Sequence, residues 1–343
     1  MIDITIYDIA REAGVSPSTV SRVLTNKNCV SAKKRQVVEK TIKKHNYRPN
    51  AAAQSLNIGT RIIGLMLPDI RNPYYAALAV ECEKAASKMG YTVLLCNMFN
   101  DSSIEVDHME KFYSHRVEAI IQIGRQTQKV NPDPAYVEHV KTISRAIPFI
   151  TNGKLEGVDH YSVRINNAMS LKLVMDYLYS LGHREIAFTG GEKCWLSTLE
   201  KWEEYMRLLA LYKLKYRKEF VREGEYSDTA GYECMKQMLK QKKIPGAVIA
   251  INDEFALGVI LAAQDNGYSV PGDISVVSFD NTYLTRLSRP TMTTVDYNYP
   301  LFGKTLVDTA IQAAWKKTPA KEILIEPVLV VRESCCKPKK KSG

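Results

Sequence analysis

From Arg61 onward, short apolar runs alternate with helix-length amphipathic stretches, a rhythm that calls for a parallel sheet covered by helices. Arg61–Leu67 (RIIGLML) reads as a buried strand ending at Pro68-Asp69. Asn72-Pro73 opens a helix to about Met89, and Gly90 closes it. Tyr91–Asn97, Ala119–Ile123 and Ile147–Thr151 read as further strands, with a helix over Ser103–His115. After Tyr161-Ser162-Val163 the rhythm restarts. Helices are expected over Asn167–Leu181, Leu199–Leu211, Asp228–Lys240 and Asp253–Asn266. The strands between them are Glu185–Thr189, Phe220–Arg222, Ala247–Ile251 and Ser275–Phe279. Two successive open sheets leave a cleft at the carboxyl ends of their strands, where ligands bind.

The first sixty residues follow another pattern. Thr5-Ile6-Tyr7-Asp8 has the form of a capping box, and Ile6, Ile9, Ala10 and Ala13 keep helical spacing. Gly14 suits the left-handed conformation that ends a helix. Ser16 is a ready N-cap and Pro17 fits a first turn, so a second helix runs to about Leu24. Two short helices about a Gly-containing turn make a helix-turn-helix. On the second helix Val20, Val23 and Leu24 share the core face, while Ser18, Ser21 and Arg22 face outward. Small outer side chains let the backbone approach a DNA groove, where Arg22 can reach a guanine edge or a phosphate. A third helix is expected from Ser31, with Val37, Val38 and Ile42 inward and Lys33, Lys34, Arg35, Lys40, Lys43 and Lys44 around them.

Charge follows the same division. Residues 1–60 hold ten Lys/Arg against four Asp/Glu, the stretch 61–336 carries 33 of each sign, and KPKKKSG at the end adds four Lys. A basic head on a neutral body points to a polyanion at the head. The seven Cys are an odd number with no CxxC spacing, and Cys335-Cys336 has no nearby His, so neither disulfides nor a metal site is expected. No apolar run is long enough to span a membrane, and the acidic opening MIDITIYDIAREAGV lacks the form of a signal peptide. A cytoplasmic protein with no membrane partner is expected.

Three head segments and a fourth beyond them carry a resemblance. Thr5-Ile6-Tyr7-Asp8-Ile9-Ala10, Ala13-Gly14-Val15-Ser16, Thr19-Val20-Ser21-Arg22-Val23-Leu24 and Tyr47-Arg48-Pro49-Asn50-Ala51-Ala52-Ala53-Gln54-Ser55-Leu56 resemble the head and hinge of the lactose-repressor (LacI/GalR) family. The resemblance implies an all-α helix-turn-helix head on an α/β core of two doubly wound parallel-sheet subdomains, like the periplasmic sugar-binding proteins. It implies a head over 1–49, a hinge helix and linker over 50–60, a core over 61–336 and a basic tail over 337–343. Within the core, an N-subdomain would take about 61–162 and 291–322, and a C-subdomain about 163–290 and 323–336. The chain would cross between them near residues 162, 290 and 322.

The family's roles carry over position by position. Ser16, Pro17, Ser18, Thr19, Ser21 and Arg22 would face the major groove or its phosphates, with Thr5 also in the DNA-binding set. Tyr47 and Asn50 would touch the DNA backbone, Ala53 would sit at the minor groove, and Leu56 would wedge open a base step. In the core, Asp69, Tyr74, Tyr75, Trp195, Lys201, Asn252, Asp253 and Asp280 would contact an effector. Two departures stand out: Lys201 where the family commonly has Arg, which removes a bidentate fork, and Asn166-Asn167 where it has Asp-Asn. Implied partners are double-stranded operator DNA, a small-molecule effector of carbohydrate type, and a second copy of the chain in a homodimer.

Other readings are weaker. RIIGLMLPDI has one Gly where a dinucleotide loop needs three, and no nucleophile elbow, P-loop or HExxH occurs, so neither catalytic residues nor a cofactor is expected. The alternatives kept are a family member with a phosphoprotein co-effector and an intracellular ligand-binding protein without regulatory DNA binding.

Overall fold

The computed structural model describes residues 4–24, 30–47, 60–99, 101–316 and 321–339. The chain divides into two compact units at Arg61/Ile62.

Among its described residues the first unit holds three helices: α1 (Ile6–Glu12), α2 (Pro17–Leu24) and α3 (Ala32–Lys44). Thr5 Oγ1 accepts from Asp8 N while Asp8 Oδ2 accepts from Thr5 N, so the expected capping box is formed. Gly14 turns the chain at φ 63°, and Ser16 Oγ then accepts from Thr19 N to start α2. Ile9, Ala10, Val20, Val23 and Val38 form the small core. Val37 does not join them and is 43% exposed. Val38 and Thr41 take the inward face of α3, and the Thr41 hydroxyl is satisfied locally by Val37 O. The segment holding Asn50, Ala53 and Leu56 lies outside the described residues.

The second unit contains two six-stranded sheets. β1 (Ile62–Leu67), β2 (Thr92–Asn97), β3 (Ala119–Gln122), β4 (Phe149–Thr151), β5 (Tyr161–Ile165) and β11 (Glu322–Ile325) form one, in the order β11-β5-β4-β3-β1-β2. All its pairings are parallel. β6 (Ile186–Thr189), β7 (Val221–Arg222), β8 (Ala247–Ala250), β9 (Ser275–Asp280), β10 (Thr293–Asp296) and β12 (Val328–Val330) form the other, in the order β12-β10-β9-β8-β6-β7. Only β12, against β10, runs antiparallel. The chain passes between sheets after β5, after β10 and after β11, at 165–167, 296–299 and 325–328, a few residues beyond the expected points.

The helices α4 (Pro73–Lys88), α5 (Ser102–Ser114), α6 (Pro134–Ile143), α7 (Asn167–Leu181), α8 (Leu196–Leu211), α9 (Asp228–Leu239), α10 (Asp253–Asp265), α11 (Leu284–Leu287) and α12 (Tyr299–Lys316) connect the strands. Their starts obey simple rules: the side chains of Asn72, Asp101, Asp133, Asn166, Ser227 and Asn252 cap six of them. Two glycines set the packing of α9 on α10. A Cβ on Gly258 would lie 1.8 Å from Asp228 O, and one on Gly231 2.1 Å from Phe255 O. In each sheet the strand order reverses beside its first strand, between β1 and β3 and between β6 and β8, and the loops leaving these strands meet at one cleft.

Candidate functional site

The cleft holds a cavity of about 780 Å³. From the first sheet it receives Pro68, Asp69, Asn72, Tyr74 and Tyr75 after β1, Gly124 and Arg125 after β3, and Asn152 after β4. From the second come Glu192, Trp195 and Lys201 after β6, Tyr226 after β7, Asn252 and Glu254 after β8, and Asp280 at the end of β9. Tyr297 and Phe302 stand at the passage after β10. Of the eight residues expected at an effector, Asp69, Tyr74, Tyr75, Trp195, Lys201, Asn252 and Asp280 line this cavity.

Asp253 does not line it. The residue is 1% exposed and sits behind the wall, where its carboxylate collects four donors. Oδ1 accepts from Ser278 Oγ at 2.5 Å and Thr294 Oγ1 at 2.9 Å. Oδ2 accepts from Thr282 N at 2.6 Å and Thr282 Oγ1 at 2.9 Å. A carboxylate so occupied ties α10 to β9 and β10 and offers nothing to a ligand, so the expected contact is replaced by a supporting role. The capping of α10 falls to Asn252, whose Oδ1 accepts from Phe255 N at 2.9 Å.

Asp280 is the carboxylate that does face the cavity. Its backbone takes φ 103°, which holds the side chain at the strand end. Among the described residues no hydrogen bond reaches its carboxylate. Burial, and then the nearby Asp253 charge, push its pKa well above the usual carboxylate range against the pull of Lys201. Lys201 answers with the opposite shift: burial brings it down to about 8, while Asp280 and Glu200 oppose the change. Its Nζ donates to Asn167 Oδ1 at 2.7 Å and lies 5.1 Å from the Phe279 ring centroid.

A polar chain runs on from Lys201. Asn167 Nδ2 donates to Glu200 Oε2 at 2.8 Å, and Arg164 bridges Glu200 on α8 to Glu322 on β11 at 2.8 and 2.6 Å. Arg164 belongs to the first sheet and Glu200 to the second half, so this network fastens one side of the cleft to the other. Asn72 Nδ2 to Glu254 Oε2, at 3.0 Å, and Val130 N to Cys194 O, at 2.9 Å, also cross it. Arg164, Asn167 as a ligand-side group, Arg125, Glu254, Tyr226 and Tyr297 were not singled out from the sequence. Arg125 alone left a local signal there, a charged residue at the carboxyl end of an apolar run.

Aromatic rings supply the apolar part of the wall. Tyr74 packs edge-on against Tyr75, Tyr297 and Tyr299. Burial raises the pKa of each, so they stay neutral donors. Asp69, by contrast, is occupied: Arg71 clasps it with bonds of 2.6–3.1 Å, which lowers its pKa.

In the head, Ser18 and Arg22 are exposed on α2, Ser21 and Thr19 are half-buried beside them, and Val20 and Val23 point away into the core. Ser16 Oγ lies 2.9 Å from both Ser18 Oγ and Thr19 Oγ1, so the outer hydroxyls form one cluster at the start of α2. Tyr47 is half-buried against the head core. Thr5 is exposed, with its hydroxyl engaged in the α1 cap.

Residues 5–50 match the profile of bacterial regulatory proteins of the lacI family, and residues 175–335 that of the periplasmic binding protein-like domain. The chain is 33% identical over 298 residues to catabolite control protein A of Priestia megaterium, covering 86% of this chain and 87% of that one. It is 30% identical over 334 residues to the HTH-type transcriptional repressor PurR of Histophilus somni (strain 129Pt), covering 96% and 98%. Among solved structures it is similar to the lac repressor dimer bound to operator and the anti-inducer ONPF, with TM-score 0.87 at 26% identity over 97% of this chain and 99% of that one. The chain belongs to the lacI family of bacterial regulatory proteins. Members of that family are transcriptional regulators and not enzymes, and this one joins a DNA-binding head to a periplasmic-binding-protein-like core. No helix among the described residues is long and apolar enough to cross a membrane.

Proposed function

We propose that the protein is a homodimeric repressor whose two heads bind a near-palindromic operator and whose cleft takes a carbohydrate that changes operator affinity. One observation carries the choice of ligand. Asp280 faces the cavity with no hydrogen bond from the described residues, beside the rings of Tyr74, Tyr297 and Trp195. A sugar hydroxyl satisfies such a carboxyl, and a sugar's C–H face covers an aromatic ring. Asn152, Asn252 and Lys201 add further polar groups at the rim of the same space. On the DNA side, Ser16, Pro17, Ser18, Thr19, Ser21 and Arg22 form the reading surface. Thr5, Tyr47 and Asn50 hold the backbone, and Ala53 and Leu56 enter the minor groove. Two heads related by a twofold axis supply the affinity and register that one small head lacks.

Thermal unfolding of the full chain with a panel of neutral and acidic sugars tests the ligand. At least one sugar should raise Tm in the wild type and fail to do so in Asp280→Ala. If no sugar shifts Tm while a candidate phosphoprotein does, the carbohydrate reading is wrong and a protein co-effector replaces it.

A further inference from the structure

Of the cations that line the cavity, one is set apart by its surroundings. Arg71, Arg125 and Arg164 each stand opposite a carboxylate, at 2.6, 3.7 and 2.6 Å. Lys201 of α8 is 4% exposed and forms no ion pair among the described residues. Its Nζ donates to the amide oxygen of Asn167 at 2.7 Å and lies 5.1 and 6.0 Å from the ring centroids of Phe279 and Tyr297. An amide oxygen and two aromatic rings hold an ammonium in place without neutralising it. A buried amine in such a setting gives up its proton easily, which is the condition for attack on a carbonyl. Burial brings Lys201 down to about 8, against the charges of Asp280 and Glu200. Asp280 lines the same cavity from the end of β9, and burial, Asp253 and Glu254 all favour its protonated form. An amine that is readily freed, a carboxyl that keeps its proton and a space of about 780 Å³ around them are what imine formation needs.

We propose that Lys201 captures the ligand as a reversible imine with the open-chain aldehyde or ketone of a reducing sugar, and that Asp280 moves the protons. The inference rests on the carbohydrate reading above and narrows it to sugars with a free carbonyl. The Lys201 nitrogen lone pair forms the C–N bond while the carbonyl π pair moves to oxygen. One proton of that nitrogen passes to this oxygen by way of Asp280, which gives a neutral carbinolamine. The carbinolamine hydroxyl then takes the Asp280 proton and leaves as water, and the nitrogen lone pair closes the C=N bond. Amine, carboxyl and carbonyl thus become a cationic iminium, a carboxylate and one water, with no oxidant or reductant. The iminium supplies the counter-charge that a buried Asp280 carboxylate requires. The same steps in reverse release the sugar.

D-Glyceraldehyde is the direct probe, because it is a short sugar with a reactive carbonyl. The full chain is incubated with it at pH 7 in sodium cyanoborohydride, which reduces an iminium and fixes the sugar to its lysine as a secondary amine. Peptide mass mapping then locates the adducts. At pH 7 an amine at about 8 is uncharged about one time in ten, and an ordinary lysine at 10.5 roughly one time in three thousand. With its lower basicity and narrower access set against that gain, Lys201 should be labelled at least about tenfold faster than the exposed lysines. Lys201→Arg should lose this fast adduct alone, and Asp280→Asn should slow it about tenfold or more. A Lys201 rate no higher than that of the exposed lysines overturns the imine, and this comparison within the wild type decides even if a variant fails to fold. An unchanged rate in Asp280→Asn overturns the proton transfer through Asp280. Methyl α-D-glucopyranoside cannot open to a carbonyl and separates the two readings. If such glycosides raise Tm while Lys201 gains no fast adduct, the imine is wrong and the carbohydrate reading stands. If the adduct is fast while no sugar raises Tm, the carbohydrate reading falls and with it the reducing sugar as ligand.

Discussion

Asp253→Ala removes the acceptor of four donors at once: the Ser278 and Thr294 hydroxyls and both the amide and the hydroxyl of Thr282. All three donor residues are buried. A buried donor left without a partner costs about 1–3 kcal/mol. The Thr282 amide cannot turn away and takes the middle of that range. The three hydroxyls can rotate toward neighbouring carbonyls, so each takes its lower end. The expected loss is therefore about 4–6 kcal/mol, a large share of the roughly 5–15 kcal/mol that holds an ordinary domain together. Asp253→Asn keeps one acceptor oxygen but turns an amide toward two donors, so it should lie between the wild type and Asp253→Ala. Urea unfolding followed by circular dichroism reads the difference. A loss below about 1 kcal/mol in Asp253→Ala would show that the donors are satisfied elsewhere and that the carboxylate is available to a ligand after all.

Other outcomes follow from single contacts. Gly258→Ala and Gly231→Ala place a methyl against backbone oxygens of the neighbouring helix, so each should cost about 3 kcal/mol in the same unfolding assay. The Glu105 carboxyl at about 7 lies above its ordinary 4.5, so the proton stabilises the fold fully below pH 4.5 and that contribution is lost as pH rises through 7. Unfolding between pH 4.5 and 8 should show this decline in the wild type and a flatter profile in Glu105→Gln. In the head, Arg22→Ala should weaken specific DNA binding by about 1–3 kcal/mol, measured by fluorescence anisotropy.

Most strands and helices of the core were legible because each sheet is mainly parallel and flanked by helices, which leaves its central strands as uninterrupted apolar runs such as RIIGLML. The helix over Tyr299–Lys316 was not among the expected elements, and it holds two residues that interrupt helices elsewhere, Pro300 and Gly303. Pro300 falls in the first turn, where its missing N–H costs nothing. Gly303 is where the helix crosses α4, since a Cβ there would lie 2.8 Å from the Glu81 carbonyl carbon. The edge strand Val328–Val330 was also not among the expected elements; it is three residues long and sits at a sheet edge, where Val328 is 59% exposed.

At the site, the residues that follow strands β1, β6, β8 and β9 came from the family resemblance, and their places agree with the gathering of ligands at strand carboxyl ends. Asp253 was misread because its donors come from Ser278, Thr282 and Thr294, which no local pattern brings near it. Arg164 was passed over inside a buried strand, because its partners Glu200 and Glu322 are distant in sequence. Of the DNA-reading set, Asn50, Ala53 and Leu56 lie outside the described residues and stand on the sequence resemblance.

The central claim is that a twofold pair of these heads reads a defined DNA sequence under control of the cleft. Selection of bound sites from random DNA by the full chain, with and without a fraction of cell metabolites, tests it most directly. The account predicts enrichment of one near-palindromic site, with an occupancy that the metabolites change and that Arg22→Ala removes. Enrichment of no sequence, or of a site without twofold symmetry that is indifferent to both the metabolites and Arg22→Ala, would contradict it.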